Sequence, residues 1–371
     1  MEEIAVGDVG KAAGVVPPLA PMEAQTATEL PLGWEWQYEP KWDGFRCLIF
    51  RDGDDVYLQS KSNPLARYFP EVVENILRIK SKRFVLDGEL IIPIDGELLF
   101  DALLARLHPA ASRIQKLSNE TPATFVAFDL LQGDDGQSLL DEPLFVRREL
   151  LEMFAKRNFP SSGLMLSPAT DNSDVARSWF QEAGGGLDGI VAKLIAAPYA
   201  SGERSAMIKF KNLRTADCVV GGFRYGSGAA SKTIGSLLLG LYDRQGKFNH
   251  VGYTSAMRAG ERERLTPKLE KLIGPSAFDG NSPGGPSRWN NGRSAVWQPL
   301  KPQLVVEVQY DHFSGERFRH GTGLLRWRPD RLPKSCTFAQ LKLAKGSALD
   351  LVRHSQSLPA KNSERRINNT D

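Results

Sequence analysis

The sequence predicts an α+β domain followed by a small closed β-barrel, and three observations carry that expectation. Up to about Lys211, short strand-like runs alternate with segments of helical spacing. The character changes across 212–217, and from Cys218 onward strands dominate. The expected divisions are a weakly ordered lead-in over 1–16, a first domain over 17–213, a barrel over 214–345 and a polar, disordered tail over 346–371.

In chain order, Pro17, Pro18 and Pro21 give an extended approach to Trp34 and Trp36. The stretch Glu-Pro-Lys-Trp-Asp-Gly-Phe-Arg, residues 39–46, then reads as a loop feeding a buried strand. Strands over 45–50 and 56–60 flank Asp52-Gly53-Asp54, a hairpin turn signature. Val72, Val73, Ile76 and Leu77 recur at helical spacing after Pro70. A strand over 84–92 is interrupted only by Asp87-Gly88-Glu89; a helix over 100–107, a strand over 124–131 and a helix over 143–156 follow. Trp179 to Ala183 ends a helix before Gly184-Gly185-Gly186, and strands over 190–194 and 206–211 complete the domain. The barrel offers strands over 218–225, 236–242, 248–254 and 304–310, with Gln245-Gly246 closing a hairpin. A helix over 266–273 has Thr266 as its cap and Pro267 in its first turn. A Gly/Pro/Asn loop spans 280–293, and an OB-type barrel needs a fifth strand that the pattern leaves unplaced.

Length and composition bound the function. At 371 residues the chain has room for two or three domains, and its 41% apolar and 25% charged content is ordinary for a globular protein. A net charge of +3 is compatible with a nucleic-acid partner without arguing for one. Cys47, Cys218 and Cys336 show no paired spacing, so neither a disulfide framework nor a zinc site is indicated and a reducing cytoplasm fits. The five histidines are scattered. The first residues are acidic, with no basic-then-apolar signal pattern, and no apolar run approaches the ~20 residues that span a bilayer. A soluble intracellular protein is expected.

Several charged stations fall at strand positions. Asp87 and Glu89 point the same way across a glycine; they suit a ribose or a hard divalent cation, the bland reading being a solvated face. Lys209 and Lys211 share a side opposite Ile208 and Phe210, and two ammonium groups placed together favour an anion between them. Asp188 opens a strand mouth; Lys193, an odd number of positions on, reads as a structural or rim residue. Phe128 either stacks on a purine or fills core. Residues 226–233 almost spell a P-loop, but Ser231 stands at the required glycine and a strand follows where a helix should. That segment reads as a flexible loop whose Arg224 and Lys232 suit a nucleic-acid backbone.

In order, Lys41-Trp42-Asp43-Gly44, Ser60-Lys61, Leu86-Asp87-Gly88-Glu89, Phe128-Asp129-Leu130-Leu131, Asp188-Gly189-Ile190-Val191-Ala192-Lys193, Lys209-Phe210-Lys211 and Arg326-Trp327-Arg328-Pro329-Asp330-Arg331 resemble the motifs of the ATP-dependent DNA ligases, within the covalent nucleotidyltransferase superfamily. The likeness runs from about Pro17 to Leu343 and is nearest to small stand-alone bacterial enzymes of the ligase C type, no further DNA-binding, polymerase or nuclease segment being attached. It implies an ATP-grasp-like adenylation domain followed by an OB-fold domain. It also implies Lys41 as the nucleophile that takes AMP from ATP, with Mg²⁺ or Mn²⁺ at Glu89 and Asp188. Glu39 and Phe128 fall at the adenine, and Arg46, Lys61 and Glu89 at the ribose and nick phosphate. Lys209 and Lys211 fall at the triphosphate, where together with a bound Mg²⁺ they would favour the neutral amine of Lys41. Arg328, Asp330 and Arg331 fall at the leaving pyrophosphate, which implies a barrel that swings about 212–217. The implied partners are nicked double-stranded DNA and unidentified DNA-repair proteins, for a monomer without membrane contact in the bacterial cytoplasm or nucleoid. Two departures stand out: Lys61 replaces an arginine, losing bidentate phosphate recognition, and Asp188 replaces a glutamate. The competing readings are an RNA ligase, a capping-type nucleotidyltransferase, and a non-catalytic OB-type nucleic-acid binder.

Overall fold

The computed structural model describes residues 14–61, 63–159, 163–183, 187–228, 231–284, 296–342 and 347–357. It divides into one unit ending at Lys211 and rejoined by the residues after Leu343, and a second unit, Asn212–Leu343.

The first unit begins with β1 (Gln25–Ala27), β2 (Trp36–Lys41), β3 (Phe45–Asp52), β4 (Asp55–Gln59), α1 (Pro70–Leu77) and β5 (Arg83–Ile91). The hairpin β6 (Pro93–Ile94) and β7 (Glu97–Leu98), then α2 (Phe100–Arg106), α3 (Ala111–Glu120), β8 (Thr124–Gln132) and α4 (Leu144–Asn158) follow. It continues through β9 (Met165–Leu166), α5 (Ser173–Glu182), β10 (Gly189–Leu194) and β11 (Met207–Lys211). The larger sheet runs β4-β3-β5-β8-β9 and the smaller β1-β11-β10-β2. Strand β3 is buried on both faces, which is why it reads as a continuous apolar run. Cys47 and Ile49 join the cluster of Val72, Ile76 and Phe154 from α1 and α4. Leu48 and Phe50 face the other way, into a cluster with Met22, Tyr199 and Met207. The fully buried Arg147 on α4 forks onto Asp129 of β8, at 2.9 and 3.0 Å, tying helix to sheet.

The second unit is built from β12 (Arg214–Tyr225), β13 (Ile234–Tyr242), β14 (Phe248–Thr254), α6 (Ala259–Glu270), β15 (Gln298–Pro299), β16 (Val305–Tyr310), the hairpin β17 (Phe313–Ser314) and β18 (Arg317–Phe318), and β19 (Gly323–Trp327). Its sheet order is β14-β13-β12-β16-β19, with β15 beside β12. The fifth strand that the pattern left unplaced is β19, whose partly exposed Leu324, Leu325 and Arg326 mask the alternation. Thr254 and Thr322 bridge the two edge strands, and the Thr254 hydroxyl donates to the Thr322 carbonyl at 2.8 Å, so the barrel closes.

Four expectations need correction. Lys41 is the last residue of a strand rather than part of a loop, because the 37-39-41 alternation pairs with Lys193, Val191 and Gly189 of β10. Helix α6 starts at Ala259, and Thr266 lies inside it: its hydroxyl donates to the Arg262 carbonyl at 2.7 Å and accepts the Ile234 N–H at 3.2 Å. Order reaches back to at least Val15, which is buried and whose N–H donates to Gln132 at 2.6 Å. The expected disordered tail contains α7 (Ala348–Ser357), whose Leu349, Leu351 and Val352 sink into the cluster of Trp179, Ile190 and Ile91. Residues 1–13, the Gly184-Gly185-Gly186 run, 229–230 of the P-loop lookalike, 285–295 and 358–371 lie outside the described residues. Among the described residues, no helix is long and apolar enough to cross a membrane.

Candidate active site

Strand pairing in the smaller sheet gathers side chains from three parts of the chain. Gly189 lies between Lys41 and Lys211, Val191 between Glu39 and Lys209, and Lys193 between Gln37 and Met207. These positions are two apart on every strand, so they share one face. Gly189 has to be glycine: a Cβ there would lie 2.3 Å from the Phe210 carbonyl oxygen. Glu39, Lys41, Arg46, Lys61, Glu89, Phe128 and Lys209 line a cavity of about 390 Å³, within the usual range for small-ligand sites. Lys211 lies at the end of its strand, outside that lining.

The Lys41 ammonium is ion-paired with Asp188, whose own N–H donates to the Lys41 carbonyl at 3.2 Å. Burial works to lower this ammonium, but Asp188, Glu89 and Asp43 outweigh it and hold Lys41 above the ordinary lysine range. Lys209 moves the other way, lowered by burial and then by repulsion from Lys41 and Lys211. Burial lifts the Glu89 carboxyl to about 7 against the pull of Lys41 and Arg46.

Lys193 is not a rim residue. It is buried, its Nζ lies 2.8 Å from the Glu39 carboxylate and 4.6 Å from the centre of the Phe128 ring, and it donates to the Phe128 carbonyl at 3.3 Å. Asp188 precedes the first residue of β10, so strand alternation does not relate it to Lys193. Asp87 and Glu89 share a face but not a role. Asp87 is fully buried and satisfied by both arms of Arg46 (2.5 Å each) and by the Tyr199 hydroxyl (2.6 Å). Gly88 between them leaves room for the neighbouring strand, since a Cβ would fall 2.3 Å from the Phe125 ring. The Arg46 guanidinium lies 4.6 Å from the centre of the Phe128 ring, so that ring contacts two cations.

At the cavity mouth Lys61 pairs with Glu23, which also accepts from Arg204 at 2.8 and 2.9 Å. Glu23, Arg204 and Tyr199 carried no motif and went unnoticed in the sequence; each is recognisable only once its distant partner is known. In the second unit Arg328 grips Asp330 (2.8 and 3.0 Å) and Asp217 (3.0 Å), and Arg331 reaches the same Asp217 at 2.9 Å. Asp217, which the motif reading passed over, is thus the anchor of that trio.

No group of three or more His, Cys, Asp or Glu side chains among the described residues could hold a metal by itself. A cation that takes one or two carboxylates and completes its shell with substrate phosphates needs no such group. Glu89 and Asp188, the two carboxylates that act most directly on Lys41, fit that donor set.

The sequence matches the family described as ATP dependent DNA ligase domain over residues 21–211, and the ATP dependent DNA ligase C terminal region over 230–331. It is 44% identical over 344 residues to DNA ligase C2 of Mycolicibacterium smegmatis, covering 88% of this chain and 95% of that protein. It is also 44% identical over 347 residues to DNA ligase C of Mycobacterium tuberculosis, with the same coverage of 88% and 95%. A solved Lig E DNA ligase, 17% identical with a TM-score of 0.51 over 83% of this chain and 99% of that one, shares the fold.

Proposed function

We propose a residue-level mechanism for this chain, which belongs to the ATP-dependent DNA ligases and resembles their bacterial C type. Lys41 Nζ attacks the α-phosphorus of ATP, forming a phosphoramidate to AMP and expelling pyrophosphate. The AMP passes to the 5′-phosphate of a nick in duplex DNA, and the 3′-hydroxyl then displaces it to join the strands. The observation that carries this reading is the amine itself: it ends a strand inside the cavity, beside a lysine of depressed pKa and two carboxylates.

Because Asp188 keeps Lys41 protonated, the amine becomes a nucleophile only when that carboxylate is drawn off or takes the proton. Asp188 therefore sets the threshold for the first step. Glu39, fixed by Lys193 and Gln37, presents a rigid polar wall to the adenine, and Phe128 offers its ring to the purine once Arg46 yields. Lys209 faces the phosphates, and Lys211, two residues on and on the same face, neutralises the same charge. Arg46, Lys61 and Glu89 serve the ribose and the nick phosphate. Glu89 and Asp188 would hold Mg²⁺ or Mn²⁺, which when bound neutralises phosphate oxygens. Arg328, Asp330 and Arg331, held as a set by Asp217, orient the departing pyrophosphate. The monomer works on nicked duplex DNA in the bacterial cytoplasm or nucleoid, where repair proteins recruit it.

Incubation with α-labelled ATP and Mg²⁺ is expected to leave a covalent AMP on Lys41 that Lys41→Ala lacks. A folded wild-type protein that stays unlabelled refutes the assignment.

A further inference from the structure

Asp87 is fully buried, and its carboxylate is divided between two donors of different character. Both arms of Arg46 fork onto it, and the Tyr199 hydroxyl donates to Oδ2 at 2.6 Å, the oxygen that one arm of Arg46 also uses. Arg46 lines the nucleotide cavity and stands over Phe128, whereas Tyr199 lies outside that lining. Tyr199 is fixed from several sides. Its N–H donates to the Leu140 carbonyl at 2.8 Å, its hydroxyl accepts the Met22 N–H at 3.0 Å, and the Arg147 guanidinium lies 5.7 Å from its ring centre. Burial and then the Asp87 charge push the phenol well above its ordinary value, so it remains a donor throughout the working range.

We propose that Tyr199 is a positioning residue, which keeps the buried Asp87 carboxylate partnered while Arg46 moves off the Phe128 ring to admit the purine. The proposal rests on the placement of ATP in this cavity given above. A guanidinium held by two parallel bonds cannot clear a stacked ring and keep both. When Arg46 leaves, Asp87 stays behind with its charge, and an ionised carboxylate stranded in the interior is costly. The hydroxyl lowers that cost, because its bond to Asp87 is worth less while Arg46 shares the same oxygen and more once the arginine has gone. Removing it therefore harms the nucleotide-bound state more than the empty one, and ATP affinity falls. With a neutral side chain at position 87 no charge is left behind, and the same removal costs both states alike. A hydroxyl that only braced the cavity wall through Met22 would act differently: the loss of affinity would not depend on the charge at 87.

The test uses the full chain and α,β-methylene-ATP with Mg²⁺, an analogue that cannot give up AMP. Dissociation constants are measured by titration calorimetry for wild type, Tyr199→Phe, Asp87→Asn and the double variant. Tyr199→Phe is expected to weaken binding about fivefold or more in the wild-type background and by less than about twofold in the Asp87→Asn background. An equal factor in both backgrounds overturns the proposal and leaves the hydroxyl a brace. An unchanged affinity in Tyr199→Phe also overturns it. A Tyr199→Phe chain that does not fold, judged by its melting curve, makes the hydroxyl structural and overturns it as well. Failure of the wild type to bind the analogue is a separate result: it refutes the placement of ATP, whereas binding with an equal factor refutes only the role of Tyr199.

Discussion

Replacing Lys193 by methionine tests whether the Lys193–Glu39 pair in the wall of the nucleotide cavity behaves as a buried ion pair. Lys193 and Glu39 are only 2% and 3% exposed and meet at 2.8 Å. The substitution keeps the volume of the stem but leaves the Glu39 carboxylate buried with Gln37 as its remaining hydrogen-bond donor, at 2.8 Å. Stranding one member of a buried pair typically destabilises by ~3–5 kcal/mol. For a unit of this size each kcal/mol moves the melting temperature by ~2–4 °C, so a drop of ~6–20 °C follows. Calorimetry is the assay of choice, because two units can melt separately and an optical midpoint would blend them. The double variant Glu39→Gln with Lys193→Met removes both charges and should recover most of the loss. A drop below ~2 °C for the single variant would place the pair among exposed ion pairs and refute the account of a buried one.

Three further outcomes are expected. Asp188→Asn removes the main counter-ion that holds the Lys41 ammonium above the ordinary lysine range, so its pKa falls and the neutral amine appears at lower pH. Acetylation of Lys41, followed by mass spectrometry without ATP or metal, should show its rising limb displaced to lower pH; displacement to higher pH contradicts the sign. Asp330→Ala should slow adenylation far more than sealing of pre-adenylated DNA, and equal losses in both steps would remove the pyrophosphate role. Truncation after Gly346 strips Leu349, Leu351 and Val352 from the first unit's core, worth ~1.5–3 kcal/mol for each buried side chain as an upper range, and should lower that unit's melting temperature; no change would mean that the helix contributes no stability.

The order of the stations was readable because strand alternation is local: Glu39 and Lys41, or Lys209 and Lys211, declare a common face within three residues. Burial on both sides made β3 and β8 legible as strands for the same reason. What escaped notice depends on partners far along the chain. Nothing around Asp87 reveals that Tyr199, 112 positions later, will claim one of its oxygens. Asp217 looks like an ordinary strand residue until Arg328 and Arg331 close on it. Lys193 left two readings open, structural or rim, and only its buried pair with Glu39 decides for the first. Helix α3 went unseen because only Ile114 and Ser118 on it are buried, too few apolar positions to set a period.

Helix α7 has a consequence for biosynthesis. Ribosomes deliver a polypeptide from its amino end, and a unit whose buried contacts include residues 348–352 is incomplete until those residues have been translated, after the whole of the second unit. While the barrel strands are being made, the greasy seam beside Trp179 and Ile190 remains uncovered. A stalled or prematurely terminated product would keep that seam open, offering chaperones and proteases a mark that separates unfinished molecules from finished ones.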